Sequence, residues 1–423
     1  MTMDTDNRKG IRVCAAAGIA SAVLLAAWVI YRSSGRGAEQ EISLCICIGL
    51  VMAAAAAAAA FGRSLFSWTV CAAFGSLVTV GCLTCDLLGL PTQDIIGKAV
   101  CALAVFLLAF GLTGLLLRLL EYQWFLITAA MISVLLYVVT LLAAERTGGA
   151  ALGVSIFGHT MQLFELGKPL YIIVTAAVLC IRKMRPSSKL LLTLGFTLIH
   201  CVLLLMQSEL GTMLCILAAY IGQLTVWLNE PGAALRAAFW DSWRKFVFLP
   251  AMAVVVTAVA VILQVYPFII DKFTRRIEGW LNGSYQVECG MKAMAKGGMA
   301  GVAGEASVHI PYAASDMAFP SVIQQFGLAA GVGLIALYAL VGITAINCAR
   351  RSGSTIVRSV AVGSAVMITV QALIAICAST GLIPMTGITL PFVSDGGVSL
   401  SVCGAFAGMI AYAVRYEGRE AQL

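Results

Sequence analysis

Ionisable side chains are sparse in this chain, and where they occur they are grouped. The largest group lies in a polar stretch, residues 267–318, which holds Asp271, Lys272, Arg275, Arg276, Glu278, Lys292, Lys296, Glu305, His309 and Asp316. Trp280, Tyr285, Gln286 and the glycines Gly297, Gly298, Gly301 and Gly304 are interleaved with them. A connection of roughly 50 residues is far longer than usual, and such loops are commonly functional or disordered. The aromatic and glycine content speaks against disorder. A second group, Glu165 and Lys168, opens an apolar run. Three residues apart on a helix, the two share a face and can form an internal ion pair. Being near the end of the run, they could instead reach out to water separately. Glu209 opens a further apolar run, where a helix N-terminus favours a carboxylate. Residues 381–399 place Pro384 and Pro391 with Gly381, Gly387, Gly396 and Gly397 in an apolar stretch, which breaks any helix there. Carboxylates, cations and opened backbone in one place suit proton transfer or the holding of a charged substrate.

The elements that must position these groups follow from composition. Of 423 residues, 61% are hydrophobic and 11% charged, with mean hydropathy +0.97; soluble proteins carry about 25% charged residues. The expected fold is an all-α polytopic membrane protein, since helices satisfy their own backbone groups in lipid and about 20 apolar residues cross it. Twelve spans are predicted, near 12–31, 42–62, 65–85, 98–117, 123–143, 168–182, 189–206, 209–228, 246–266, 319–346, 357–380 and 398–414. The sixth is short and is expected to start within 155–168. Irregular backbone at membrane depth, as in 381–399, is tolerated only when buried in protein or lining a wet cavity.

Basic residues alternate with this count. With the N-terminus inside, Arg8, Lys9, Arg12, Arg63, Arg118, the 182–189 cluster, Arg236, Arg244, Lys245, Arg350, Arg351, Arg358, Arg415 and Arg419 fall on the cytoplasmic side. The long polar stretch then lies outside, with both termini cytoplasmic. The net charge of +7 reflects this bias and not nucleic-acid binding. Cys82 and Cys85 form a CxxC within an apolar run, where cysteine acts as a small hydrophobe. Cys289, in the polar stretch, is expected to react with impermeant thiol reagents from outside. Residues 233–246 carry Phe239, Trp240 and Trp243 beside Arg236, Arg244 and Lys245, as an interfacial helix would. Three functional classes remain open on these residues: an enzyme acting on a lipid-linked substrate, a transporter, and a non-catalytic scaffold.

Several motifs, in one order, resemble those of the SEDS family (shape, elongation, division and sporulation). Gln162-Leu163-Phe164-Glu165-Leu166-Gly167-Lys168 resembles QPSELAK, and Gln207 to Thr212 resembles QPDLGT. Arg275, Trp280, Tyr285-Gln286 and 297–301 resemble the loop pattern of an Arg, an aromatic, YQ and GGLFG. Ser315 to Phe319 resembles TDFIF, and Pro384 to Gly397 resembles LPVTGLTLPFISYGG. The likeness covers about residues 155–415. Departures are Ala314 for a histidine, Gln324-Gln325 for a Glu-Glu pair, Asp395 for a tyrosine, and Leu163 and Ser208 for prolines.

The resemblance implies a ten-helix core preceded by two extra spans. Residues 1–150 would hold N-terminal helices including those two, and 151–423 the core with an extracellular catalytic loop at 267–318. It implies a peptidoglycan glycosyltransferase in the bacterial cytoplasmic membrane. The enzyme would polymerise lipid II with inversion to a β-1,4 bond, alongside a class B penicillin-binding protein. The alternatives are lipid II flipping and a scaffold role. Asp316 is then the expected base and Lys168 its basic partner. Glu165, Gln162, Glu209, Arg275, Arg276, Tyr285, Gln286, Ser394, Gly396 and Gly397 are expected to bind substrate. A divalent cation, Mg or Mn, could neutralise the pyrophosphate. No matched motif lies before residue 155, so residues 1–64 are expected to be dispensable for the chemistry.

Overall fold

The computed structural model describes residues 65–230 and 267–420, apart from 144, 148–149, 157–158, 182 and 303–307. The expected spans at 12–31, 42–62 and 246–266, and the interfacial helix at 233–246, lie outside the described residues. Nine helices long and apolar enough to cross a membrane occur among the described residues, and they coincide with the other nine expected spans. The protein is a multi-pass, all-α membrane protein.

The helices follow in order: α1 (Leu65–Leu87), α2 (Thr92–Leu119), α3 (Gln123–Ala143), α4 (Leu163–Cys180), α5 (Pro186–Met206) and α6 (Leu210–Leu228). In the polar stretch come α7 (Pro267–Leu281) and α8 (Tyr285–Gly297). The remainder is α9 (Ala318–Phe326), α10 (Leu328–Arg351), α11 (Thr355–Ser379) and α12 (Gly397–Glu420). The sixth span begins at Leu163, inside the expected window. Ahead of it stands a three-stranded antiparallel ribbon that the apolar pattern does not predict: β1 (Glu145–Thr147), β2 (Ala150–Ile156) and β3 (His159–Met161). Thr147 pairs with Ala150 at the end of the first strand pair.

The expected single span at 319–346 is two helices. Gly327, at φ 88°, ends α9, and its missing side chain lets the chain press on the Met299 carbonyl. Any Cβ there would collide with backbone and require a left-handed conformation. Gly297 and Gly301 likewise seat α8 and the following turn on the backbone of α9. The amides of Val302 and Leu328 close this junction on the carbonyls of Gln324 and Gly298, at 2.7 and 2.8 Å. The loop glycines thus bolt the polar stretch to the bundle. Cys289 is buried on α8, so the structure corrects the expectation that it is open to thiol reagents.

The core is a continuous apolar cluster shared by α1, α2, α4, α6, α10, α11 and α12. Close approach comes from small residues: Gly404 and Gly408 of α12 rest on the backbone of Ala102 and Phe106 in α2, as expected where helices associate by packing in lipid. Cys82 and Cys85 are buried in the same core. All the helix ends carrying Glu165, Glu209 and Gly397 point to the face where α7 and α8 lie.

Candidate active site

Asp316 lies in the turn that enters α9. The carbonyl of Tyr312 accepts the amides of Ser315 and Met317 at 3.0 and 3.2 Å, and Ser321 Oγ donates to the Ala313 carbonyl at 2.9 Å. The broken stretch before α12 clasps the turn from the other side. Ser394 Oγ donates to the Ser315 carbonyl at 2.6 Å and accepts the Leu390 amide at 2.8 Å, while the Asp395 amide donates to the Ala314 carbonyl at 2.7 Å. The Asp395 carboxylate in turn pairs with Lys98 Nζ of α2 at 2.5 Å. Gly397 starts α12 where a Cβ would stand 3.6 Å from the Lys98 stem, and the Gly396 amide bonds the Ser394 carbonyl at 2.8 Å. Ser394 to Gly397 therefore hold the backbone around Asp316.

The second wall comes from α4 and α6. Lys168 Nζ and Glu165 Oε1 are 2.5 Å apart, with Lys168 fully buried and Glu165 5% exposed. They form the internal pair and do not snorkel, because burial removes water as a competing partner. An aromatic layer of Tyr137, Tyr171, Phe196 and His200 packs beside them, with His200 Nε2 3.0 Å from Ser133 Oγ. Glu209 is the N-cap of α6, yet its side chain makes no cap hydrogen bond. The expected stabilisation by the helix N-terminus is overridden by desolvation, which raises its pKa to about 7 against the pull of Lys272, Arg276 and Lys168, with Glu165 adding to the rise.

Helix α7 supplies the cations that join the two walls. A methyl group at Gly387 would lie 3.7 Å from Asp316 Oδ2 and 3.8 Å from Arg276 Nη2, so these two groups converge over that glycine. Burial raises the Asp316 carboxyl above the ordinary range, and the Arg276 guanidinium opposes the rise. Burial lowers the Lys272 ammonium, Arg276 adding to the fall and Glu209 opposing it. Arg276 thus acts on both Asp316 and Glu209, and Glu209 links them to the Glu165–Lys168 pair. The cation beside Asp316 is Arg276, while Lys168 is paired with Glu165.

The other expected residues stand further out. Arg275 is exposed and its Nε donates to the Asp271 carbonyl of its own helix at 3.2 Å. Tyr285 is exposed, Gln286 is half-buried on α8, and Gln162 caps α4 without a side-chain cap bond. His309 is exposed. Gln324, where the resemblance expects an acid, is buried and donates Nε2 to the Val308 carbonyl at 3.0 Å.

Two further features mark this end of the bundle. Among the described residues, the non-glycine residues at positive φ are Ser208 (61°), Tyr312 (56°) and Phe392 (66°), one in each segment that builds the site. Backbone strain of this kind concentrates at functional sites. Buried oxygens without a hydrogen-bond partner include Tyr137 Oη, Gln207 Oε1, Ser208 Oγ and Thr386 Oγ1. These flank Glu165, Glu209 and Gly211, so the wall is one that polar groups or water must complete. Sequence reasoning missed Lys98, although an ionisable residue in an apolar span is the signal that singled out Glu165 and Lys168.

No group of three or more His, Cys, Asp or Glu side chains suited to a metal ion occurs among the described residues. The two carboxylates at the centre instead face Arg276 and Lys272, so a divalent cation has no ready cage there.

Comparison with known proteins converges on one family. The family described as cell cycle protein, FtsW/RodA/SpoVE, matches residues 63–419. A probable peptidoglycan glycosyltransferase FtsW from Methylococcus capsulatus is 25% identical over 279 residues, covering 63% of this chain and 67% of the relative. Stage V sporulation protein E of Bacillus subtilis is 28% identical over 230 residues, 53% of this chain and 59% of that protein. The matched stretch thus spans about two thirds or less of these relatives' own length. Among solved structures, a chain from work on coordination of polymerization and crosslinking by a peptidoglycan synthase complex superposes with TM-score 0.61 at 22% identity. It covers 82% of this chain and 97% of that one. The family match takes in well over half of the sequence, from the start of α1 to the end of α12, and the chain belongs to the FtsW/RodA/SpoVE family of cell cycle proteins.

Proposed function

We propose that this protein is a peptidoglycan glycosyltransferase that polymerises lipid II at the outer face of the bacterial cytoplasmic membrane. The observation on which this rests is the convergence of Asp316 and Arg276 over Gly387, a carboxylate set beside a guanidinium, the group best shaped to hold a phosphate. In this reading Asp316 takes the proton from the acceptor sugar hydroxyl as its oxygen bonds to the donor anomeric carbon. The bond from that carbon to the pyrophosphate breaks on the opposite face, which inverts the centre and gives the β-1,4 link. The pyrophosphate leaves with the electron pair, and Arg276 and Lys272 meet its charge. The Glu165–Lys168 pair shapes the field at Glu209 from below and positions that wall. Gln162, Gln286, Arg275 and Tyr285 serve the outer reaches of a long substrate.

The orientation is part of the proposal. Arg118, Lys183, Arg185, Arg358 and Arg415 all lie at the end of the bundle opposite Asp316, which the positive-inside rule assigns to the cytoplasm. The termini are then cytoplasmic and the polar stretch extracellular. The partner is a class B penicillin-binding protein, a reading supported by the likeness to a chain from a synthase complex. Flipping of lipid II is the weaker alternative, since the acid and cations gather at one end of the bundle. The test is glycan-chain formation from lipid II by purified protein, alone and with the partner. Chains from the parent and none from Asp316→Asn, with lipid II still bound, support the assignment; a fully active Asp316→Asn removes the aspartate from the chemistry.

A further inference from the structure

At the end of the bundle away from Asp316, α2 and α12 line a cavity of about 330 Å³. Its polar lining is Arg118, Tyr412, Arg415 and Tyr416, with no acidic residue among the described residues that line it. Arg118 stands in the last turn of α2, and the Arg415 guanidinium sits 5.5 Å from the centre of the Phe110 ring, a cation–π distance.

The room is made by two glycines of α2. A side chain at Gly114 would strike the Tyr412 hydroxyl at 2.6 Å, whereas one at Gly111 would meet nothing within 4 Å. Gly114 therefore seats the tyrosine and Gly111 leaves the space open. Leu115 lines the cavity, and Leu112 and Leu108 stand about one and two turns before it on α2; the three are 52%, 44% and 58% exposed on a helix long enough to cross the bilayer. An occupant that fits must carry negative charge at one end and apolar chains at the other.

We propose that this cavity binds the headgroup of an anionic phospholipid, with the phosphate on Arg118 and Arg415 and the acyl chains along the leucine face. Basic pockets between membrane helices on the cytoplasmic side have this chemistry. A plainer role for the arginines is to complement the helix C-termini and reach the interface. That role requires no cavity and gives no selectivity among lipids. The site is separate from the Asp316 end and does not depend on the catalytic reading.

The test is native mass spectrometry of the delipidated full-length protein titrated with phosphatidylglycerol, or with phosphatidylcholine of the same chains. The parent is expected to retain phosphatidylglycerol roughly tenfold or more over phosphatidylcholine, the scale of two basic side chains at an anionic headgroup. Gly111→Leu fills the cavity and keeps both arginines, and in a helix the change is itself favourable; it should abolish the preference, as should Arg118→Gln with Arg415→Gln. An unchanged preference in Gly111→Leu would show diffuse surface attraction and overturn the site. So would equal retention of the two lipids by the parent, or displacement of phosphatidylglycerol by millimolar inorganic phosphate, which would identify a soluble phosphate as the ligand. Should the double arginine variant fail to fold, Gly111→Leu decides alone.

Discussion

Asp316 and Glu209 are both carboxylates under burial, but their neighbours separate their roles. Asp316 faces one cation, and its pKa is raised by desolvation. Activity should therefore rise with pH as it deprotonates, and Asp316→Asn should lose that limb with about a hundredfold to ten-thousandfold of the rate. Burial pushes the Glu209 carboxyl up to about 7, with Lys272 and Arg276 from α7 and Lys168 from α4 opposing the rise and Glu165 adding to it. Above that pH Glu209 becomes a competing anion for the cations proposed to hold pyrophosphate, so lipid II binding should weaken as pH rises through 7. Glu209→Gln should flatten that descending limb, and a parent-like fall in binding with pH would exclude Glu209 as its source. The stability sign agrees. A carboxyl whose folded pKa is raised gives its full stabilisation below the unfolded value near 4.5 and loses it as pH rises to about 7. The thermal midpoint of the parent should accordingly fall over that range more than that of Glu209→Gln. Position and type of these residues were legible in the sequence. Their pairing was not, because a spacing of three reveals Glu165 with Lys168, while Arg276 reaches Asp316 only through the way α7 folds back over Gly387.

At the level of elements, the site is a clasp between a turn and a broken loop, and its outer fastening is Lys98 with Asp395. The proline and glycine content of 381–399 disclosed that this loop is irregular, and its likeness to a family motif disclosed that it matters. Neither shows that Ser394 and Asp395 act on the carbonyls of Ser315 and Ala314, since backbone contacts leave no mark on residue type. The role of the ion pair can be tested by charge. Asp395→Lys should displace the turn and lower kcat for glycan formation, because the amide at 395 is tied to the segment that aims Asp316. Adding Lys98→Asp restores an attraction of the same geometry and should recover kcat, with KM for lipid II little changed throughout. The pair is 31% and 20% exposed at its side chains, so the effect on stability should be small. Recovery of stability without kcat would make Lys98–Asp395 a purely structural contact.

For the whole molecule, the sequence carried the number and order of spans well, since each apolar run in the described part became one helix. The exception was the run broken at Gly327, where an apolar sequence hides a change of direction. The family match starts at residue 63, well ahead of the likeness read from residue 155. It also leaves the two expected N-terminal spans outside. Two spans removed together keep the orientation of everything that follows, so a protein lacking residues 1–64 should insert correctly and keep polymerisation near the parent level. Sidedness has to be measured in the same sample. Cys289 is unsuitable because it is buried; Asn282→Cys is exposed just beyond α7, and Ser187→Cys lies at the opposite end, at the start of α5. In intact cells an impermeant maleimide should label position 282 and spare 187, in the full chain and the truncated one alike. If the truncated chain shows that labelling, binds lipid II and forms no glycan, the first two spans belong to the catalytic machinery; labelling at 187 from outside would instead invert the proposed topology.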